Sequence, residues 1–308
     1  MIIVTGASGL LGSNFLMEAQ QKKKDIIAVY NRNPVCFPSV ESVQADMTDK
    51  DKINKLVESV KPEWIVHCAA LTNVEWCEQN PQETFEVNAF MPRNLAKAAE
   101  KIGAGIIYIS TDSIFSGIRG NYSEDDAPGP INVYAKSKLA GEIAVKEECG
   151  SSLIIRTNIF GWNASKKLSL AEWILFELES NRTIDGFTDV IFSPILVNEL
   201  SRIILKAMES KLRGTYNIAC SQSCSKYEFA RRVARIFDLD EKLIMPSLIK
   251  DSRLKAFRPK NVGLNTKKIC KKLNIEMPDL NTGIIEFKAL RDFGFVNKLK
   301  AARRDKYA

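Results

Sequence analysis

The chain has 308 residues, of which 45% are hydrophobic, 26% charged and 8% aromatic. This composition is that of an ordinary globular protein, and it excludes disordered, collagen-like and disulfide-scaffold classes. The formal net charge is +7, and the single histidine, His67, excludes a mechanism that needs several imidazoles.

Short apolar runs alternate with helical patterns through the first half of the chain. The apolar runs begin at Ile2, Ile26, Trp64, Ile106 and Leu153, and the longest helices are expected over about 84–101 and 134–148. Continuous β-branched runs that alternate with helices are typical of a parallel sheet covered on both faces. The pattern predicts an α/β fold with a doubly wound, Rossmann-type sheet.

After Phe160 this alternation ends. Helices are expected over about 168–179, 198–210 and 226–237, a strand over 214–218, and turns at Asp185-Gly186-Phe187 and Phe192-Ser193-Pro194. The length suits two domains. We therefore predict a Rossmann domain over 1–160 and a smaller α/β substrate-binding lobe over 161–308. No linker separates them, so the lobe is expected to be interwoven with the first domain.

Nothing in the sequence indicates a membrane-bound or secreted protein. No apolar run reaches the roughly 18 residues that a spanning helix needs, and the first residues are typical of a β-strand rather than a signal peptide. The seven scattered cysteines form neither a CxxC pair nor a Cys/His cluster. These features predict a cytoplasmic protein with reduced thiols and no structural zinc.

The positive charge is concentrated at the end of the chain. From Lys250 to Ala308 there are 16 Lys/Arg and 6 Asp/Glu, a balance of +10. A basic lobe suits nucleic acid, an acidic membrane surface or a phosphorylated small molecule, and a solvated surface is the alternative. No nucleic-acid-binding motif accompanies the charge, so a phosphorylated small molecule is the partner we expect.

The strongest local motif lies between the first strand and the first helix. It runs Thr5-Gly6-Ala7-Ser8-Gly9-Leu10-Leu11-Gly12, with glycines spaced GxxGxxG. Such glycines permit a tight turn, a close approach of the backbone to a diphosphate and close packing of helix on sheet. The motif predicts a dinucleotide site that includes Gly6, Ser8 and Gly9 through Gly12.

The end of the second strand indicates which dinucleotide is bound. An acidic residue there would bind the ribose 2′-hydroxyl of NAD, but this chain has Asn31-Arg32. Arginine pairs well with a 2′-phosphate, so NADPH is predicted, with NADH and a merely exposed Arg32 as the alternatives. Further contacts are expected from Asp46-Met47 at the adenine and from the small residues Cys68-Ala69-Ala70.

The catalytic motif is Tyr134-Ala135-Lys136-Ser137-Lys138, in which Tyr134 and Lys138 lie on one face of a predicted helix. Ser110-Thr111-Asp112 ends the preceding strand, at the sheet edge where α/β proteins bind ligands. Tyr134 would act as general acid toward a carbonyl oxygen, Lys138 would lower the phenol pKa, and Thr111 would hydrogen-bond the same oxygen. Asn88 is expected to support this site. His67 is expected to be a core histidine.

These motifs, in this order, resemble the extended short-chain dehydrogenase/reductase superfamily over essentially the whole chain. The resemblance is sharpest to one branch, dTDP-4-dehydrorhamnose reductase and related nucleotide-sugar 4-ketoreductases. The segments that carry it are Ile109 to Gly117, Pro130 to Tyr134, Lys138 to Glu142, Ile154 to Thr157, and Arg258-Pro259 followed by Gly263-Leu264-Asn265-Thr266.

The resemblance implies NADPH-dependent reduction of a 4-keto-6-deoxyhexose carried on a nucleoside diphosphate, as in dTDP-rhamnose and polysaccharide biosynthesis. Arg258 is the first candidate for the substrate diphosphate, with a buried structural ion pair as its alternative. The expected substrate contacts are Thr111, Asp112, Ser113, Phe115, Trp162 and Arg258. The expected cofactor contacts are completed by Asn88, Ser110, Tyr134, Lys138 and Arg156.

Departures from related enzymes narrow this expectation. Relatives that dehydrate nucleotide sugars carry Asp-Glu after the threonine, whereas this chain has Asp112-Ser113, so dehydration is not expected. Some reductases of the branch have tyrosine at the position of Ser113 and an acidic residue at that of Asn14, which helps bind a dimer-bridging Mg²⁺. No metal is therefore predicted, and both the sugar and a homodimer are left open.

Two other functions stay open. A nucleotide-sugar epimerase would use Tyr134 and Lys138 with tightly held NAD⁺, although Arg32 argues against it. A regulatory subunit similar to methionine adenosyltransferase β would bind the cofactor and a partner enzyme without turnover.

Overall fold

The computed structural model describes residues 1–303. Its strands in chain order are β1 (Ile2–Thr5), β2 (Ile26–Tyr30), β3 (Glu41–Gln44), β4 (Trp64–His67), β5 (Gly105–Thr111), β6 (Ser152–Thr157), β7 (Ile159–Phe160), β8 (Ile184–Phe187), β9 (Ile191–Phe192), β10 (Ile195–Leu196), β11 (Gly214–Asn217), β12 (Cys224–Ser225) and β13 (Ile244–Ser247).

The α-helices are α1 (Leu10–Gln21), α2 (Lys50–Val60), α3 (Val74–Gln79), α4 (Pro81–Phe85), α5 (Met91–Lys101), α6 (Val133–Glu148), α7 (Leu170–Glu179), α8 (Val197–Glu209), α9 (Lys226–Ile236), α10 (Lys267–Leu273), α11 (Leu280–Asp292) and α12 (Phe295–Ala301). Short 3₁₀ turns occur at Asp112–Ile114, Glu241–Leu243 and Ile249–Asp251. Within the described residues, no helix is long and apolar enough to cross a membrane.

A seven-stranded sheet of order β11-β6-β5-β4-β1-β2-β3 forms the centre of the fold, and its strands pair in parallel. Strands β1 and β4 are buried along their whole length because helices cover both faces of the sheet. The strand order reverses beside β1, which opens a crevice at the carboxyl edge. The doubly wound α/β fold predicted from the sequence is confirmed.

The second half of the chain contributes to this sheet. Strand β11 pairs with β6, so that Gly214 lies opposite Leu153 and Asn217 opposite Arg156. Helix α8 packs against α1, and one apolar core continues from the central sheet into the C-terminal helices. A boundary at residue 160 therefore passes through a shared sheet and a shared core.

Two local expectations are wrong. Asp185-Gly186-Phe187 is not a turn but part of β8, which pairs in parallel with β13. The helix expected over 84–101 is interrupted by a π-helical turn, Glu86–Phe90, before α5. Pro92 has no N–H to donate to the Asn88 carbonyl, and the Tyr108 hydroxyl donates to that oxygen instead, at 2.7 Å.

Candidate active site

The glycine-rich turn between β1 and α1 brings backbone unusually close to backbone. Gly6 has a φ of +66°, and a Cβ there would lie 2.5 Å from the Ala69 nitrogen. A Cβ on Gly12 would lie 2.3 Å from the Gly6 carbonyl oxygen. Gly9 caps α1 without a side-chain hydrogen bond. The first amides of α1 are therefore left for an anion, as a dinucleotide diphosphate requires.

A cavity of about 350 Å³ opens beside this turn. Ten of the residues predicted to bind the cofactor line it, namely Gly6, Ser8, Gly9, Asn31, Arg32, Asp46, Met47, Cys68, Ala69 and Ala70. Arg32 is exposed at the rim, and its guanidinium forms no hydrogen bond or ion pair with residues 1–303. An unpaired guanidinium at this position fits a 2′-phosphate.

The other predicted cofactor residues have different surroundings. Leu11 and Gly12 are buried in the packing of α1, and Leu10 packs against the apolar core. The Ser110 hydroxyl is buried without a hydrogen-bond partner in the described structure. These four residues shape the turn and the sheet edge rather than lining the cavity with their side chains.

The structure brings Thr111 beside Tyr134, and Lys138 lies one turn after Tyr134 on α6. Thr111 ends β5, and the Asn132 side chain fixes the start of α6 by accepting a hydrogen bond from the Ala135 amide at 2.8 Å. The Tyr134 phenol reaches the Thr111 hydroxyl. The Lys138 ammonium lies 4.0 Å from the centroid of the Tyr108 ring.

Burial sets the proton affinities of this site. It raises the pKa of the Tyr134 phenol to about 12, although the hydrogen bond with Thr111 acts in the opposite direction. It lowers the pKa of the Lys138 ammonium to about 7, against the pull of the Glu142 carboxylate. Desolvation is the largest influence on the phenol pKa, and the resulting rise is opposite to the lowering expected from Lys138. A phenol with a high pKa stays protonated at neutral pH, as a proton donor must.

Asp112 is a buried support rather than an exposed substrate contact. Its Oδ1 accepts hydrogen bonds from the Thr111 and Ser113 hydroxyls, both at 3.1 Å, and its Oδ2 accepts one from Asn158 at 2.8 Å. Burial raises the pKa of this carboxyl, and these donors oppose the shift. With its oxygens occupied, Asp112 orients the Thr111 hydroxyl.

Asn88 also supports the site indirectly, through hydrogen bonds to residues around it. Its side chain accepts from the Leu71 amide at 2.9 Å and donates to the Leu71 carbonyl at 3.0 Å and to the Ser137 hydroxyl at 3.0 Å. Leu71 lines the cofactor cavity and Ser137 belongs to α6. Asn88 thus ties the cavity wall to the helix that carries Tyr134 and Lys138.

A second cavity, of about 590 Å³, adjoins the other end of the Thr111–Ser113 turn. Ser113, Asn158, Trp173, Lys226 and Arg258 are among the residues that line it. Arg258 donates from Nη2 to Glu75 at 3.1 Å, whereas its buried Nη1 has no hydrogen-bond partner in the described residues. The cavity therefore offers cationic donors to a ligand.

Three residues predicted to contact ligands are core residues instead. Arg156 is buried in a bidentate pair with Glu142, with Nη2 donating at 2.8 Å. Phe115 is fully buried and stacked on Tyr122, with a centroid separation of 4.3 Å. Trp162 is buried against Phe287 and donates its indole N–H to the Phe287 carbonyl at 2.8 Å. None of the three side chains is free to meet a ligand, so these contacts are corrected.

His67 is a core residue, as expected. Its Nδ1 lies 2.7 Å from the Thr5 hydroxyl, and burial lowers its pKa to about 3, so the ring is neutral.

Three residues of the site were not foreseen: Asn158, Glu142 and Lys226. Asn158 directly follows β6 and Glu142 lies one turn after Lys138, which are positions that a search for polar groups at strand ends and on one helix face could have found.

Comparison with known proteins places this geometry in context. Residues 1–290 match the family described as RmlD substrate binding domain. A probable low-salt glycan biosynthesis reductase, Agl14 of Haloferax volcanii, is 28% identical over 290 residues, which cover 93% of this chain and 96% of the relative. Methionine adenosyltransferase 2 subunit beta of Danio rerio is 30% identical over 302 residues, which cover 94% and 89%.

Among solved structures, the chain is similar to dTDP-4-dehydrorhamnose reductase from Bacillus anthracis in complex with NADP. The two share 30% identity with a TM-score of 0.83, over 94% of this chain and 98% of that one. The Clostridium acetobutylicum reductase has 27% identity and a TM-score of 0.82, over 94% and 99%.

Proposed function

Because the chain belongs to the RmlD substrate-binding-domain family, we propose that it reduces the 4-keto group of a nucleoside-diphosphate 4-keto-6-deoxy sugar with NADPH. The family assignment made from the sequence is confirmed, and the dTDP-4-dehydrorhamnose reductases among the solved structures are oxidoreductases of this type. The substrate we favour is dTDP-4-dehydrorhamnose or a close relative.

The observation that carries the proposal is that neighbours of the predicted catalytic residues line two different cavities. Lys138 is an electrostatic neighbour of Cys68, which lines the cofactor cavity. Ser113, two residues after Thr111, lines the second cavity. A carbonyl held by Thr111 and Tyr134 would therefore face a cofactor on one side and be joined to a nucleoside diphosphate on the other.

The cofactor cavity fits NADPH because Gly6 and Gly12 leave room for the diphosphate, and Arg32 is available for the 2′-phosphate. The bound cofactor would supply the hydride that reduces C4. Tyr134 would donate its phenol proton to the carbonyl oxygen as that hydride is added. The Thr111 hydroxyl, which donates to Asp112 in this structure, would turn to donate its single hydrogen to the same carbonyl oxygen. Lys138, while charged, would stabilise the phenolate that Tyr134 becomes. The product is the C4 alcohol.

The test is the loss of NADPH absorbance with dTDP-4-keto-6-deoxyglucose, alone and after premixing with its 3,5-epimerase. We expect oxidation that requires the sugar. Tyr134→Phe removes the proton donor without changing the ring, and general acid catalysis is worth about 10²- to 10⁴-fold, so its kcat should fall by that factor while it still binds NADPH. If wild-type protein binds NADPH tightly but oxidises none in either mixture, the rhamnose-pathway substrate is wrong.

A regulatory role is the second candidate, and specific relatives favour it. Methionine adenosyltransferase 2 subunit beta of Rattus norvegicus is 31% identical over 87% of this chain. A regulatory subunit would form a stable complex with a methionine adenosyltransferase catalytic subunit and change its kinetics. It would do so equally well as wild type and as Tyr134→Phe, whereas the reductase function depends on the phenol.

A further inference from the structure

Lys226 occupies a position where helix stability does not call for a lysine. It is the first residue of α9, directly after the N-cap Ser225, whose hydroxyl and backbone form a reciprocal capping box with Glu228. The N-terminus of a helix carries partial positive charge, so a cation in the first turn is unfavourable there.

The Lys226 ammonium is available for a ligand. Its Nζ lies 3.3 Å from the centroid of the Phe192 ring, and it makes no hydrogen bond or ion pair with residues 1–303. Burial lowers its pKa to about 8, against the pull of the Asp112 carboxylate. Lys226 is among the residues that line the second cavity, and its ammonium carries three N–H donors.

The surroundings of Lys226 distinguish it from Arg258, the other cation of this cavity. Lys226 is the electrostatic neighbour of Asp112, which hydrogen-bonds Thr111 and Ser113. Arg258 is held instead by Glu75 of α3. Lys226 therefore belongs to the part of the cavity beside Asp112 and Ser113, whereas Arg258 is attached to α3.

Charge decides which part of a nucleotide sugar suits each cation. A diphosphate beside the buried Asp112 carboxylate would suffer like-charge repulsion in a poorly solvated place. Sugar hydroxyls are neutral acceptors and suffer none. Arg258 has a buried Nη1 without a partner in the described residues, and its planar guanidinium matches phosphate geometry.

We propose that Lys226 is a specificity-determining residue that hydrogen-bonds the hexose of the nucleotide sugar, while Arg258 binds the diphosphate. This inference rests on the proposed function and adds the group that recognises the sugar. The Phe192 ring, over which the Lys226 ammonium lies, is part of the same cavity wall.

The test separates sugar from phosphate by calorimetric titration with two probes, dTDP and the non-reducible dTDP-glucose. A hydrogen bond to a charged group is worth about 1.5–3 kcal/mol, or roughly 10- to 100-fold in affinity. Lys226→Gln should weaken the binding of dTDP-glucose by that factor and leave the affinity for dTDP unchanged. Lys226→Arg, which keeps the charge, should restore part of the loss. Arg258→Gln should weaken both probes.

Lys260→Gln is the matched control. The Lys260 side chain is 66% exposed and pairs with Asp189 on the same lobe. The Lys260→Gln variant should therefore bind both probes as tightly as the wild-type protein does. Equal loss of both probes in Lys226→Gln would overturn the inference by assigning Lys226 to the diphosphate. An unchanged affinity for both probes would also overturn the inference, because Lys226 would then serve only to balance the charge of Asp112. Because these are binding measurements, they stay informative even if the wild-type protein oxidises no NADPH, the result that would defeat the proposed reaction.

Discussion

Replacing Arg156 tests whether this residue serves the fold or the cofactor. Arg156 and Glu142 have side chains only 5% and 2% exposed, and their closest N–O distance is 2.8 Å. Arg156→Met would leave the Glu142 carboxylate buried without its cation. Removing one partner of a buried pair costs about 3–5 kcal/mol. At about 2–4 °C per kcal/mol, the value for chains of about 150–250 residues, Tm should fall by roughly 6–20 °C.

The measurement is thermal unfolding together with an NADPH titration below the transition. A matched control is Arg291→Met, since Arg291 and Glu179 are also 2.8 Å apart but are 34% and 48% exposed. An exposed pair contributes about 0–1 kcal/mol, so its Tm should change little. The double variant Glu142→Met/Arg156→Met removes both charges and should regain much of the stability.

NADPH affinity decides between the two interpretations. A structural Arg156 predicts that folded Arg156→Met protein binds NADPH as tightly as wild type. If this variant instead kept the wild-type Tm and lost NADPH affinity, Arg156 would be a cofactor ligand and the reasoning from burial would be refuted.

Three further predictions concern the site itself. Gly12→Ala should abolish NADPH binding in a fluorescence titration, because its Cβ would lie 2.3 Å from the Gly6 carbonyl oxygen; unchanged affinity would show that the turn relaxes. Lys138 has a pKa of about 7, so its charge is present below that pH and lost above it. The value of kcat/KM for reduction should therefore fall about tenfold per pH unit above pH ~7. A kcat/KM that still rises above this pH would contradict a role for the charged lysine. Arg32→Gln should weaken NADPH about 10- to 100-fold and leave NADH unchanged, and a parallel loss of both cofactors would remove Arg32 from the 2′-phosphate.

The parts of the site that the sequence predicted are those whose geometry depends on residues close together along the chain. The glycine spacing from Gly6 to Gly12 specifies a turn that needs no distant information. Tyr134 and Lys138 share a helix face because they are four residues apart. Local geometry of this kind is readable without knowing the fold.

The mistakes concern side chains whose orientation depends on distant elements. Arg156 is on a strand whose sequence pattern matches its relatives, but whether its guanidinium meets a cofactor or Glu142 depends on how α6 packs on β6. Likewise, the β8 strand at Asp185 forms only because β13, some 60 residues later, pairs with it. Trp162 is core because α11 brings Phe287 against it.

The residues alone predict a dinucleotide-binding α/β protein in which a threonine, a tyrosine and a lysine lie at one sheet edge. Periodicity and short spacings are local properties, and they suffice for that. Only the tertiary structure decides that the pKa of Tyr134 is raised rather than lowered, that Asp112 supports Thr111, and that Lys226 lines the cavity. Each of these depends on burial and on through-space neighbours, which chain order does not encode.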